Sequence, residues 1–148
     1  MRKLRRCLRE TEKNMAGSYL LDTAPLIYLM GQEDSVPAAV RRELADPNSE
    51  VFYSQISLWE IQIKYQLGKL PMPDEPAMVL PRELARYGFT PLGLTDAAIY
   101  GLSRLPPVHK DPFDRILIVQ AKLTGSTLVS PDKVFSQYPI NVRWGDEA

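Results

Sequence analysis

Apolar positions along this chain switch between two periods. Five short runs have the β-branched, aromatic and leucine content of strands: Ser18 to Asp22, Glu50 to Gln55, Phe89 to Leu92, Ser126 to Ser130 and Tyr138 to Trp144. Between them, apolar residues recur at the three- and four-residue spacing of helices facing a core. Thr23-Ala24-Pro25 opens the first helix, with Leu26, Leu29 and Met30 following. Ser35 and Pro37 predict the start of a second, Val36 to Ala45, with Val36, Val40 and Leu44 as its stripe. A third runs from Ser57 to about Leu67 and stops at Gly68. A fourth spans Ala77 to Arg86 before Gly88, and Thr95 caps a fifth from Asp96 to Arg104. The last begins at Pro112 and ends at Gly125. Its run Ile116-Leu117-Ile118-Val119 is apolar nearly all round, the pattern of a helix buried against a sheet. Asp46 to Ser49 reads as a turn, Leu70 to Pro76 as irregular chain, and Leu105-Pro106-Pro107-Val108 as a stiff loop.

Strands alternating with helices predict an α/β domain: a mostly parallel central sheet with helices on both faces, a three-layer α/β/α arrangement. The predicted domain covers residues 18–145, with no internal repeat or interdomain linker. Residues 1–17 form a separate basic leader in which six cations outweigh Glu10 and Glu12. The leader lacks the apolar core of a secretory signal. A disordered arm, a nucleic-acid contact, and an upstream start preceding Met15 all remain open for it. At 148 residues, 45% hydrophobic and 24% charged, the chain has an ordinary globular composition. A single cysteine, Cys7, excludes a disulfide framework and predicts a cytoplasmic protein. One Cys with one His, His109, also excludes a Cys/His zinc site. No apolar run reaches the roughly 20 residues of a membrane span.

Candidate chemistry enters with the acids. In a parallel sheet, ligands bind at the carboxyl ends of the strands. Asp22 ends the first strand, Asp132 follows the strand closing at Ser130, and Glu60 lies in the first turn of the helix after the second strand. Asp111 and Asp114 open the last helix, three residues apart and therefore on one face. Each has a plain alternative. Asp111 and Asp114 suit the unpaired N–H groups of a helix start. Ser57 and Glu60 match a capping box. Asp22 fits a strand-to-helix cap, and Asp132 a turn. Together the alternatives weaken, because several carboxylates brought to one edge repel unless a cation or retained protons intervene. Oxygen ligands of this kind select Mg²⁺ or Mn²⁺, the metals of phosphodiester hydrolysis. No Ser–His pairing or phosphate-binding glycine loop competes with that reading. Lys64 and Arg115 lie close enough in sequence to these acids to hold a phosphate or to form an ion pair with them. His109 reads as a solvated loop residue and Trp59 as core.

The blocks Leu20-Leu21-Asp22-Thr23, Ser57-Leu58-Trp59-Glu60-Ile61, Gly68-Lys69-Leu70, His109-Lys110-Asp111-Pro112-Phe113-Asp114-Arg115 and Thr127-Leu128-Val129-Ser130-Pro131-Asp132, in that order, resemble the PIN-domain ribonucleases of the VapC toxin type. The resemblance covers about Ser18 to Trp144. It implies a compact α/β/α domain, Mg²⁺- or Mn²⁺-dependent endoribonuclease activity on an RNA substrate, and a toxin restrained by a cognate antitoxin protein. By match to the motifs it implies Asp22, Glu60 and Asp114 as the central metal-binding acids, Asp132 as a fourth, and Asp111 beside Asp114. One departure is Ala24, where many relatives carry His; no acid is lost by it. Tyr28, Leu29 and Met30, or the helix beginning at Val36, are candidate surfaces for the antitoxin or for a homodimer, unless they belong to the core. The alternatives are a non-catalytic RNA- or protein-binding module that keeps the acids structurally, and a structure-specific DNA nuclease.

Overall fold

A computed structural model describes residues 17–145; the leader through Ala16, with Cys7, lies outside the described residues. Five strands form one sheet in the order β3-β2-β1-β4-β5. They are β1 (Ser18–Leu21), β2 (Glu50–Ser54), β3 (Thr90–Leu92), β4 (Thr127–Val129) and β5 (Val142–Arg143). All four pairings are parallel, so the expectation of a mostly parallel sheet holds. β1 is central, with Leu21 opposite Tyr53 of β2 on one side and Val129 of β4 on the other.

Six α-helices connect the strands: α1 (Thr23–Leu29), α2 (Ala38–Ala45), α3 (Gln55–Gln66), α4 (Pro76–Tyr87), α5 (Asp96–Gly101) and α6 (Pro112–Thr124). Successive strand residues point to opposite faces, and the sheet therefore feeds two cores. Leu21, Val51 and Val129 pack with Leu26, Val40, Leu80 and Leu84 on one face. Leu20 and Leu128 pack with Ala98, Leu117, Ile118 and Phe135 on the other. This is the three-layer arrangement the alternating pattern predicts. In α6 every residue from Ile116 to Ala121 is buried, because α5, β1 and β4 surround it. Where α5 meets α6, Gly101 stands so close that an added Cβ would lie 2.7 Å from Val119 Cγ1. Among the described residues no helix is long and apolar enough to cross a membrane.

Several boundaries differ from the sequence expectation. Val36 is extended and fully buried, a short helical turn occupies Glu33–Ser35, and α2 begins only after Pro37. The fifth helix tightens at its end into a single turn, Leu102–Arg104. The last strand shrinks from the expected Tyr138–Trp144 to Val142–Arg143. Before it Lys133–Gln137 coils into a helical turn, and Phe135 and Tyr138 are buried in the second core. Leu29 and Val36 are core residues, which removes them from the candidate partner surfaces.

Candidate active site

The carboxyl ends of β1, β2 and β4 lie side by side, with β2 and β3 on one side of β1 and β4 and β5 on the other. The strand order reverses there, between β1 and β4, where open α/β sheets form their crevice. Asp22 sits at that reversal. Its backbone N–H donates to Val129 O (3.0 Å). Its side chain is 7% exposed and caps α1, with Oδ1 accepting from Thr23 N–H (2.8 Å). Oδ2 accepts from the buried Ser130 hydroxyl (2.7 Å). Burial pushes its pKa up to about 6, helped by the charges of Asp114 and Glu60 and opposed by the Ser130 and Thr23 hydrogen bonds. The cap role and the site role are thus held by the same carboxyl.

Glu60 reaches the site differently from the capping-box expectation. Ser54, not Ser57, is the N-cap of α3, its hydroxyl accepting from Ile56 N–H (3.1 Å). The helix starts early because β2 runs directly into it with no loop between. Glu60 consequently lies in the second turn, away from the free N–H groups, and is not a capping residue. Ser57 is buried one turn earlier and accepts from the Thr23 hydroxyl (2.9 Å), tying α3 to α1. Lys64 pairs with Glu60 across one turn (3.1 Å).

The start of α6 brings the next group. Asp111 is its N-cap, with Oδ1 accepting from Phe113 N–H (2.9 Å) and, at 3.4 Å, from Asp114 N–H. Pro112 opens the helix as expected. Asp114 points back to His109, whose Nε2 lies 2.7 Å from Asp114 Oδ2. Burial raises the Asp114 pKa, the His109 hydrogen bond lowers it, and the charges of Asp111 and Glu60 raise it further. Arg115 does not pair with these acids in the way the sequence left open. Its guanidinium donates to three loop carbonyls, Pro106 O (3.0 Å), Leu102 O (3.2 Å) and His109 O (3.3 Å).

Asp132 stands at the margin. Its carboxylate is exposed and caps the turn Lys133–Gln137, accepting from Val134 N–H (3.0 Å). It is joined to the site through Ser130, whose Oγ accepts from Asp132 N–H (3.1 Å) while donating to Asp22. The fold therefore brings Asp22, Glu60, Asp111 and Asp114 into one electrostatically coupled group, with Asp132 one residue bridge away.

Three residues matter more than their sequence signals suggested. His109 was read as a solvated loop residue, yet it is held at three points. Its N–H donates to the Tyr138 hydroxyl (2.8 Å), its carbonyl accepts from Arg115, and its ring meets Asp114. Its place in the His109-to-Arg115 block was the available signal. Ser130 lay inside a quoted block, but only the tertiary pairing of β1 with β4 puts it on Asp22. Trp59, expected in the core, is 58% exposed. The helix turn that sends Ile61 inward sends Trp59 outward.

The donor set suits a divalent cation. His109, Asp111 and Asp114 each offer one ligand atom, and these atoms lie within 4.8 Å of one another. Carboxylate oxygens with a single imidazole match Mg²⁺ or, better with the nitrogen, Mn²⁺. The raised pKa values of Asp22 and Asp114 report the repulsion and desolvation that a cation would relieve.

Comparison with known proteins agrees with this geometry. The PIN domain family matches residues 19–141. A stretch of 57 residues is 39% identical to Ribonuclease VapC16 of Mycobacterium tuberculosis (strain ATCC 25618 / H37Rv), covering 38% of this chain and 40% of that protein. The match thus spans less than half the length of that relative. Among solved structures, the fold is similar to VapBC2 from Rickettsia felis bound to a DNA fragment from their promoter. That likeness has a TM-score of 0.68 at 19% identity, covering 86% of this chain and 99% of the other. A domain of a functionally unknown protein from Methanocaldococcus jannaschii DSM 2661 superposes with a TM-score of 0.52 at 14% identity, covering 89% and 93%. These two likenesses concern the fold, whereas the family match extends over β1 to β4 and the acids gathered at their edge: the chain belongs to the PIN domain family.

Proposed function

We propose that this protein is a Mg²⁺- or Mn²⁺-dependent endoribonuclease, the VapC-type toxin of a toxin–antitoxin pair. The observation that carries this is the convergence of Asp22, Glu60, Asp111 and Asp114, with His109, on the sheet's carboxyl edge. Asp22, Glu60 and Asp114 are the central metal-holding acids, Asp111 and His109 complete the donor set, and Asp132 contributes from the rim. A divalent cation held by these residues would supply an activated water and charge neutralisation at a phosphate.

The protein's own groups prepare that chemistry. Ser130 and the Thr23 N–H orient Asp22 through both carboxylate oxygens. Lys64 holds Glu60 in place. Arg115 clamps the loop that delivers His109 and Asp111, a positioning role rather than direct phosphate contact. The name of the Mycobacterium relative and the VapBC2 complex support an RNA substrate and an antitoxin partner. We place the protein in the cytoplasm, acting as a homodimer when free of antitoxin.

Purified protein, free of antitoxin, is expected to cut RNA with Mg²⁺ or Mn²⁺, and Asp22→Asn or Asp114→Asn to abolish cutting. Addition of the protein encoded beside it is expected to block the activity. Cleavage that persists in excess EDTA, or survives both substitutions, overturns the proposal. Equal or preferred cleavage of DNA would assign a DNA nuclease instead. Absence of Mn²⁺ binding by calorimetry would assign a non-catalytic module.

A further inference from the structure

Beside the acids stands a pair of aromatic rings that the metal chemistry does not use. Trp59 immediately precedes Glu60 on α3, and Phe113 immediately precedes Asp114 on α6. Their rings meet edge to face, with centroids 5.3 Å apart and planes at 82°. Phe113 is half-buried and fixed from below, its N–H held by Asp111 Oδ1. Trp59 is 58% exposed although α3 packs against α6 and α1. An edge-to-face partner fixes a ring's orientation, and more than half of Trp59 stays open to solvent. Lone exposed apolar side chains are ordinary on a protein surface; Trp59 differs in being braced by a ring that adjoins Asp114.

The surroundings select its occupant. A site built from carboxylates repels a polyanion until a cation is bound. Lys64 and Arg115, the cations nearest the acids along α3 and α6, are already engaged by Glu60 and by loop carbonyls. Lys110 and Lys133, exposed beside Asp111 and Asp132, can attract the strand's phosphates, which leaves contact with its bases to another group. A π-face beside the reacting phosphate supplies it, because bases stack on aromatic side chains regardless of sequence. Unpaired bases can reach such a face, whereas the bases of a continuous duplex cannot.

We propose that Trp59, braced by Phe113, is a stacking platform for an unpaired nucleobase adjoining the phosphodiester held at the acids. The inference rests on the ribonuclease proposal and adds to it a residue that positions the strand. Trp59 and Phe113 bind and position the strand; they take no part in the bond-breaking step.

The test uses the full chain with Trp144→Phe, which leaves Trp59 as the single tryptophan. A short unstructured oligoribonucleotide, with Ca²⁺ in place of Mg²⁺, is expected to quench its fluorescence saturably. An abasic strand of equal length and a duplex are expected not to. In steady-state cleavage, Trp59→Ala is expected to raise KM about ten-fold, the scale of one lost base stack. Trp59→Tyr is expected to recover most of the loss. Mn²⁺ affinity and Tm are expected to be unchanged in both, which separates lost stacking from a damaged fold. Fluorescence indifferent to RNA, or Trp59→Ala with wild-type kcat/KM, overturns the platform while leaving the ribonuclease proposal intact. Quenching driven by protein concentration or by the antitoxin alone also overturns it, assigning the face to a second copy or to the partner. A wild-type protein that neither binds nor cuts RNA overturns both proposals.

Discussion

Asp22 carries a conflict between burial and charge, and the conflict has a measurable sign. Its folded-state pKa of about 6 lies above the ordinary 3.8. The folded protein therefore holds this proton more tightly than the unfolded chain does. Its contribution to stability is complete below pH about 4 and is lost as pH rises through about 6. At neutral pH the ionised, buried carboxylate costs the fold roughly 3 kcal/mol. Asp22→Asn keeps the shape and the cap on α1 but removes the charge. It is expected to raise Tm at pH 7 in EDTA and to flatten the pH dependence of Tm between 4 and 6, while abolishing cleavage. An unchanged or lowered Tm would refute the account. The position was legible in the sequence, as an acid ending an apolar strand. Its raised pKa was not, because that comes first from burial in the assembled fold and then from the charges of Asp114 and Glu60, 92 and 38 residues away.

Elements position the remaining donors, and the loop before α6 shows how. Leu105 to Val108 was expected to be stiff because of its two prolines. Rigidity also comes from α6 itself, where the planar guanidinium of Arg115 gathers the carbonyls of Leu102, Pro106 and His109. A lysine ammonium on a flexible stem cannot reproduce that fork. Arg115→Lys and Arg115→Ala are both expected to lower Tm, by about 1–3 kcal/mol in stability. Both are also expected to weaken Mn²⁺ binding about ten-fold, since His109 and Asp111 lose their support. Calorimetric titration beside thermal melts checks this. Full recovery of Mn²⁺ affinity by Arg115→Lys would show that charge, not geometry, is what the site needs. At the same scale, the direct passage of β2 into α3 moves the cap to Ser54 and frees Glu60. Sequence spacing alone favoured the capping box, because Ser57 and Glu60 satisfy its pattern whether or not the helix starts there.

At the scale of the whole molecule, the sheet is a frame that forces acids together. β1 is sandwiched by parallel neighbours and buried on both faces, so Asp22 cannot move away from the Ser130 end of β4 without opening the core. The acids at this edge accordingly store a repulsion that a bound cation would relieve. Saturating Mn²⁺ is expected to raise Tm at pH 7, by about 2.7 kcal/mol in stability at a hundred times Kd. The gain is expected to shrink below pH 6, where protons compete for Asp22, and binding is expected to release protons. Scanning calorimetry at pH 5 and pH 7 measures both. A Mn²⁺ effect independent of pH would place the ion elsewhere.

The alternation of period-two and helical runs by itself determined the class of fold, the order of most elements and the two-sided burial of the sheet. These follow from local pattern, since each strand must cover two faces and each helix one stripe. The nearness of Asp22, Glu60, Asp111 and Asp114 was also legible, because motifs at the carboxyl ends of parallel strands share one edge by topology. Tertiary structure alone decided which atoms meet. It put Ser130 on Asp22 and His109 on Asp114, turned Arg115 to the loop, moved Asp132 to the rim and left Trp59 facing solvent. Those outcomes depend on strand register, on the residue at which each helix begins and on packing between distant segments. A shift of one residue in any of them redirects a side chain by about 100° on a helix or to the opposite face of a strand.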